Sequence, residues 1–190
     1  MVPIVDFPER FSVVGADLSM LRPGFARVHC ERGQNGQYKL SDVNLTHVPN
    51  KPRKKNKTDG AILNEITSAM NHFFPTSEVD EFVFFVREEQ LQMYHGNAAQ
   101  SRTIISLSKV VGLSDAFLWR KYPCEFAEIH PKTVKKILTG NATAEKEEVA
   151  AALDKYVGPQ NYACDDESDA LAVAIAWLIS QGVISPDVSC

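Results

Sequence analysis

The sequence predicts an α/β fold, a mixed five-stranded sheet flanked by helices, on three observations. Three strand-like segments open the chain one after another, at 11–16, 24–31 and 38–45, with a GQNG turn at 33–36 between the last two. That run is the meander of an antiparallel sheet. Strand-like and helix-like segments then alternate, which calls for parallel strands joined by helical crossovers. The segment EFVFFV at 81–86 is almost continuously apolar, as a central strand buried on both faces must be.

The remaining elements follow in order. Residues 59–74 place Ile62, Ile66, Ala69 and Phe73 at helical period, and Pro75 stops the helix. Residues 97–113 carry Ile104, Ile105, Leu107, Val110 and Val111, with Gly112 near the expected end of a second helix. A fifth strand is expected at 124–129, and further helices at 131–138, 144–156 and 167–181. Thr139-Gly140-Asn141 separates the first two of these, and Gly158-Pro159 ends the second. With 190 residues, 44% hydrophobic and 23% charged, the chain suits one globular domain over 1–190 with a single sizeable core. Within it, 46–58 reads as a polar, basic loop. No apolar run approaches the ~20 residues that span a bilayer. Asp6, Glu9 and Arg10 stand where a leader would need a basic and then an apolar stretch, so a cytoplasmic protein is expected. Cys30, Cys124, Cys164 and Cys190 are far apart and the five histidines are scattered. That spacing argues against a zinc site and for reduced thiols.

The net charge of −4 hides an asymmetry. NKPRKKNK at 50–57 holds Lys51, Arg53, Lys54, Lys55 and Lys57 with no acid, whereas DDESD at 165–169 holds four acids. A protein that binds a polyanion and also holds divalent cations needs both kinds of patch. The basic residues, in a segment with two prolines and no apolar period, are expected to follow a phosphate backbone. A merely solubilising loop is the other reading.

Three segments deliver acids to element ends. Asp17 directly follows the first apolar strand, at the end where open α/β sheets place ligands. Glu88 and Glu89 follow the strand at 81–86. Asp166 and Asp169 stand three apart at the start of the last helix, on one face of it. Each has a simpler explanation: a loop cap, a solvated strand exit, or acids that favour a helix N-terminus. Together they match a site for two divalent cations about 3.5–4 Å apart, one activating a water and one stabilising the leaving oxygen of a phosphodiester. Oxygen ligands favour Mg2+ or Mn2+.

At these residues the sequence resembles the RuvC family. HPKTVKKILTGNATAEKEEV at 130–149 resembles that family's Pro, Val-Lys, Gly-x-x-x-Ala and Lys segment. DDESDALAVAIAWL at 165–178 resembles its acid-x-x-acid-Ala-Leu-Ala helix, and GADLS with Gly24 its first strand and hairpin. The last pattern is shared with actin-like ATPases and sugar kinases, which need two such domains and glycine-rich phosphate loops. The resemblance runs from about Phe11 to Leu178. It implies the RNase H fold and divalent-metal-dependent cleavage of four-way (Holliday) DNA junctions by a homodimer. It further implies metal ligation by Asp17, Glu88 (alternatively Glu89), Asp166 and Asp169, with Lys135 and Lys146 near the scissile phosphate. Tyr94 joins the basic loop residues as an expected DNA contact. The helix at 97–113 is the expected dimer face, since its apolar residues exceed what one buried face needs. Arg87 departs from the family pattern, which has an apolar residue before the glutamate. Such divergence suggests a phage or mobile-element branch. A junction-binding protein that does not cut, and an RNA-cleaving nuclease of the same fold, remain alternatives.

Overall fold

The computed structural model describes residues 6–49, 58–74, 82–89 and 98–186, with the backbone alone at 98–103. Among the described residues, five strands and five helices follow in the order β1 (Arg10–Asp17), β2 (Gly24–Arg32), β3 (Tyr38–His47), α1 (Asp59–Phe73), β4 (Phe82–Glu88), α2 (Ala98–Lys121), β5 (Cys124–Ile129), α3 (Pro131–Thr139), α4 (Lys146–Val157) and α5 (Asp165–Ser180). The strands form one sheet in the order β3-β2-β1-β4-β5. β1 pairs antiparallel with β2, and β2 antiparallel with β3, whereas β1–β4 and β4–β5 are parallel. The mixed five-stranded sheet is the one the sequence predicts.

Strand alternation sorts the core into two layers. Phe11 and Val13 of β1, Ala26 and Val28 of β2, and Phe84 and Val86 of β4 face α3, α4 and α5. Val14, Ala16, Phe25, Val83 and Phe85 face α1 and α2. β1 and β4, buried on both sides, are the most apolar strands for this reason. α5 is buried from Ala170 to Leu178 because it lies between the sheet and the pair α3 and α4. Two glycines let it settle there. A Cβ on Gly15 would come 2.0 Å from the Ala170 carbonyl oxygen, and one on Gly24 would come 2.1 Å from that of Asp166.

Several boundaries differ from those expected. α2 runs through Gly112 to Lys121, because Gly112 lies on the solvent face while Val110, Ser114 and Leu118 continue the buried stripe. One glycine on an exposed face costs a helix only about 1 kcal/mol. Val110, expected at a subunit interface, is wholly buried in the core, whereas Ile104 and Ile105 are exposed. β3 reaches His47, and Thr58 caps α1 by accepting from the Ala61 amide. The connection expected at 46–58 is therefore 48–57, of which 50–57 lie outside the described residues. β4 includes Arg87 and Glu88, and α5 starts at Asp165 with Cys164 as its cap.

Candidate active site

Register and pleat bring the acids together. Ala16 of β1 pairs with Arg87 of β4, so one step further Asp17 and Glu88 end neighbouring parallel strands. Both continue the alternation that faces α5: Val13, Gly15 and Asp17 on β1, and Phe84, Val86 and Glu88 on β4. Glu88 pairs in turn with Ile129 of β5, after which His130 caps α3 by accepting from the Lys132 amide. The carboxyl ends of β1, β4 and β5 thus lie side by side beneath the start of α5. Glu89 is one residue out of phase. It is exposed, and its backbone N–H donates to the Ile129 carbonyl.

The approach of these carboxylates shows in their proton affinities. Burial, then repulsion from Asp169, Glu88 and Asp166, pushes the Asp17 carboxyl up to about 7, against the pull of Lys146. Burial and the Asp169 charge also raise Glu88, opposed by Lys146, Lys135 and His130. Three acids from two other elements therefore sit within electrostatic reach of Asp17. Two of them hold protein cations. Lys146 Nζ donates to Asp169 Oδ2 at 2.7 Å and lies 3.9 Å from Asp165, and the Asp169 bond raises the lysine's own proton affinity. Arg22, on the β1–β2 connection, is in ionic contact with Asp166 Oδ2. Lys135 Nζ donates to the Ala144 carbonyl at 2.7 Å, which ties α3 to the start of α4.

The four acids of 165–169 do not crowd one point. Asp166 and Asp169 turn toward Asp17, Asp165 is exposed, and Glu167 turns to β3. There Glu167, buried to 4% exposure, takes His47 Nδ1 at 2.8 Å on one oxygen and the Ala163 amide at 2.8 Å on the other. His47 pairs across β2 with Gly24, which pairs with Asp17. The latch therefore fixes the first turn of α5 at the level of the acids. Arg22, His47 and Glu167 carry no sequence motif; only the sheet register reveals them. Arg87 points to the opposite face, where it bridges Asp115 of α2 and Glu128 of β5. Lys51, Arg53, Lys54, Lys55, Lys57 and Tyr94 lie outside the described residues.

The donor set fits a divalent cation. It consists of carboxylate oxygens. The oxygens of Asp166 and Asp169 that face the site already lie against cations of the protein, Arg22 and Lys146, and a divalent ion would offer them the same compensation for burial with more charge. Among the described residues no three acids, histidines or cysteines have closed to common ligating distance; Arg22 and Lys146 hold two of the acids instead.

A stability prediction follows. Unfolding returns Asp17 to its ordinary value of 3.8. Between that value and about 7 the folded state keeps a proton that the unfolded state has lost. Metal-free protein therefore loses stability as pH rises through this window. Asp17→Asn should remove most of the loss, on the order of 2 kcal/mol after allowance for partial solvation. Millimolar Mg2+ or Mn2+ should raise the Tm of the wild-type protein by mass action, and more at about pH 8 than at about pH 5 because protons and metal compete for the same oxygens. A melting series that is flat in both pH and metal would contradict this.

Comparison with known proteins agrees with the fold. The family model described as crossover junction endodeoxyribonuclease RuvC matches residues 13–177. The RuvC endodeoxyribonuclease of Brachyspira hyodysenteriae is 25% identical over 163 residues, covering 86% of this chain and 91% of the relative. That of Prochlorococcus marinus is 26% identical, covering 90% and 98%. Among solved structures, Thermus thermophilus RuvC in complex with a Holliday junction substrate superposes with a TM-score of 0.59 at 20% identity, covering 90% of this chain and 96% of that one. The yeast mitochondrial Holliday junction resolvase gives 0.52 at 12% identity, covering 93% and 81%. At such identities the structural likeness establishes the RNase H-like fold, and the family match establishes membership: the chain belongs to the RuvC family of crossover junction endodeoxyribonucleases.

Proposed function

We propose that this chain is an endodeoxyribonuclease that cuts four-way DNA junctions by metal-dependent phosphodiester hydrolysis. The observation that carries the reading is the convergence of Asp17, Glu88, Asp166 and Asp169, from β1, β4 and α5, in a chain of this family. These four would hold divalent cations, two Mg2+ or Mn2+ by the charge they present. When bound, such cations activate a water and stabilise charge on the leaving oxygen. The hydrolysis forms one bond from water oxygen to phosphorus and breaks one phosphorus–oxygen bond of the strand.

The chain's own residues contribute position and charge. The strand ends hold Asp17 and Glu88 on one face of the sheet, and the His47–Glu167 latch holds the α5 pair above them. Lys146 and Lys135, on helices beside the acids, supply fixed positive charge for a phosphate that becomes more negative at the transition state. The basic loop residues and Tyr94 would guide the DNA backbone from outside the site. A homodimer would set two sites on a two-fold junction, and the exposed Ile104 and Ile105 of α2 favour that helix as its interface. No helix among the described residues is long and apolar enough to cross a membrane, and cytoplasmic function on chromosomal or invading DNA fits the reduced thiols of Cys30, Cys124 and Cys164.

The test is cleavage of matched four-way junction, flap, duplex and RNA–DNA hybrid substrates with Mg2+. Preferential paired nicking of the junction is expected. Binding without cutting, or preference for the hybrid, would overturn the reading. Strand phase also separates the two candidate glutamates: Glu88→Gln should lower the single-turnover rate by at least about a hundredfold, whereas Glu89→Gln should change it less than about threefold. The reverse ranking would show that β4 ends in a different register when DNA is bound.

A further inference from the structure

We propose that Arg22 is a counter-ion which divalent metal displaces from Asp166 and which, once displaced, binds the DNA backbone beside the scissile phosphate; this rests on the reading of the four acids as a metal site. Arg22 stands on the connection between Asp17 and Gly24, the two residues that pair across β1 and β2. The connection is pinned on both sides of it. The Arg22 amide donates to Ser19 Oγ at 3.0 Å, and the carbonyl of the next residue, Pro23, accepts from the Val48 amide at 3.0 Å. Its guanidinium meets Asp166 Oδ2 while the side chain stays 39% exposed.

Three features point to exchange rather than to a permanent brace. The contact is open to solvent on one side: the Arg22 side chain is 39% exposed, against 18% for that of Asp166. An ion pair that water and ions can reach is screened and contributes little as a brace. Next, the partner is one of the four acids, so metal and Arg22 compete for one oxygen. A divalent ion brings twice the charge at shorter range and wins that competition. Finally, a guanidinium does not shed its proton. Arg22 must leave as a cation, and its side chain is 39% exposed, so a phosphodiester of a bound strand, an anion that matches its fork, can take the place of the carboxylate. Lys146 on Asp169 forms a parallel arrangement on the far side of the pair, so metal uptake would free two cations toward the same phosphate.

The experiment has two readouts. Mn2+ binding without DNA is titrated by the electron paramagnetic resonance of free Mn2+, in wild-type, Arg22→Gln, Arg22→Lys and Asp17→Asn proteins whose folding is checked by thermal melts. Single-turnover junction cleavage is then measured at saturating Mn2+. Arg22→Gln is expected to bind Mn2+ roughly tenfold more tightly, because a competing charge is gone. Its cleavage at saturation should fall at least roughly tenfold, and Arg22→Lys should restore both values most of the way. Unchanged or weaker Mn2+ binding by Arg22→Gln would overturn the exchange and leave a structural brace. Tighter binding with undiminished cleavage would overturn the DNA contact. Wild-type protein that takes up no Mn2+, or Asp17→Asn that binds it equally well, would overturn the metal reading itself, and the two failures are thereby told apart.

Discussion

Asp17→Asn and Asp169→Asn are each expected to abolish junction cleavage, by at least about a thousandfold, and to leave junction affinity within a few fold of wild type. The size of the loss follows from the role of the pair. Asp17 faces Glu88 across the β1–β4 register and faces Asp169 and Asp166 across the gap to α5. An amide in its place keeps the shape and removes the charge that a cation would share with the other acids. Affinity stays because sequence-independent DNA binding comes from basic side chains, not from the acids. Losing negative charge also brings no loss of attraction to a polyanion. Fold stability separates this outcome from a damaged protein, since Asp17→Asn relieves a carboxyl that burial and its neighbours disfavour. Cleavage rates at saturating enzyme, beside binding isotherms and melts of the same preparations, decide the matter. Near-normal cutting by either variant would remove its residue from the active site.

Gly24→Ala is expected to have the second large effect, acting through distance. The added Cβ would lie 2.1 Å from the Asp166 carbonyl oxygen and 2.5 Å from its carbonyl carbon, both backbone atoms. No rotamer relieves such a contact, so the start of α5 must lift from β2 and take Asp166 with it. The expected cost is about 2–4 kcal/mol of stability and at least about a hundredfold in cleavage, since displacements near 1 Å have such effects on preorganised sites. Gly60→Ala is the matched control. A Cβ there comes no nearer than 3.9 Å, to Thr58 Oγ1, in the exposed first turn of α1, so that variant should keep its stability to within about 1 kcal/mol or gain slightly, and cut normally. Denaturant melts with single-turnover rates test the pair. Equal behaviour of the two variants would show that α5 does not depend on close contact with the sheet.

What the sequence made visible depended on whether a signal was local. β1 and β4 announce themselves because a strand buried on both faces has little choice but apolar residues. α5 does so because it is enclosed by sheet and helices. The end of α2 was misplaced because Gly112 looks like a stop, and only the buried Ser114 and Leu118 beyond it show that the stripe goes on. The choice between Glu88 and Glu89 was open because adjacent acids differ only in phase, and phase has meaning once Val86 is known to face α5. Arg22, His47 and Arg87 were least legible. Each takes its partner from an element remote in the chain, Asp166, Glu167, and Asp115 with Glu128, and pairing of that kind is set by sheet order rather than by spacing. Arg87 in particular looks like a misfit before the glutamate. It proves to be the residue that ties α2 to β5 behind the site.

Asp17, Glu88 and the α5 pair lie far apart along the sequence, and α5 completes the set only by seating itself on Gly15 and Gly24. During synthesis all five strands leave the ribosome before the acids of α5. A chain not yet extended through α5 therefore presents Asp17 and Glu88 without Asp166 and Asp169, and would lack the proposed centre. With its acids so divided, a nuclease would stay inactive until α5 has been made and has docked on the sheet, and the order of docking would itself control when the site can act.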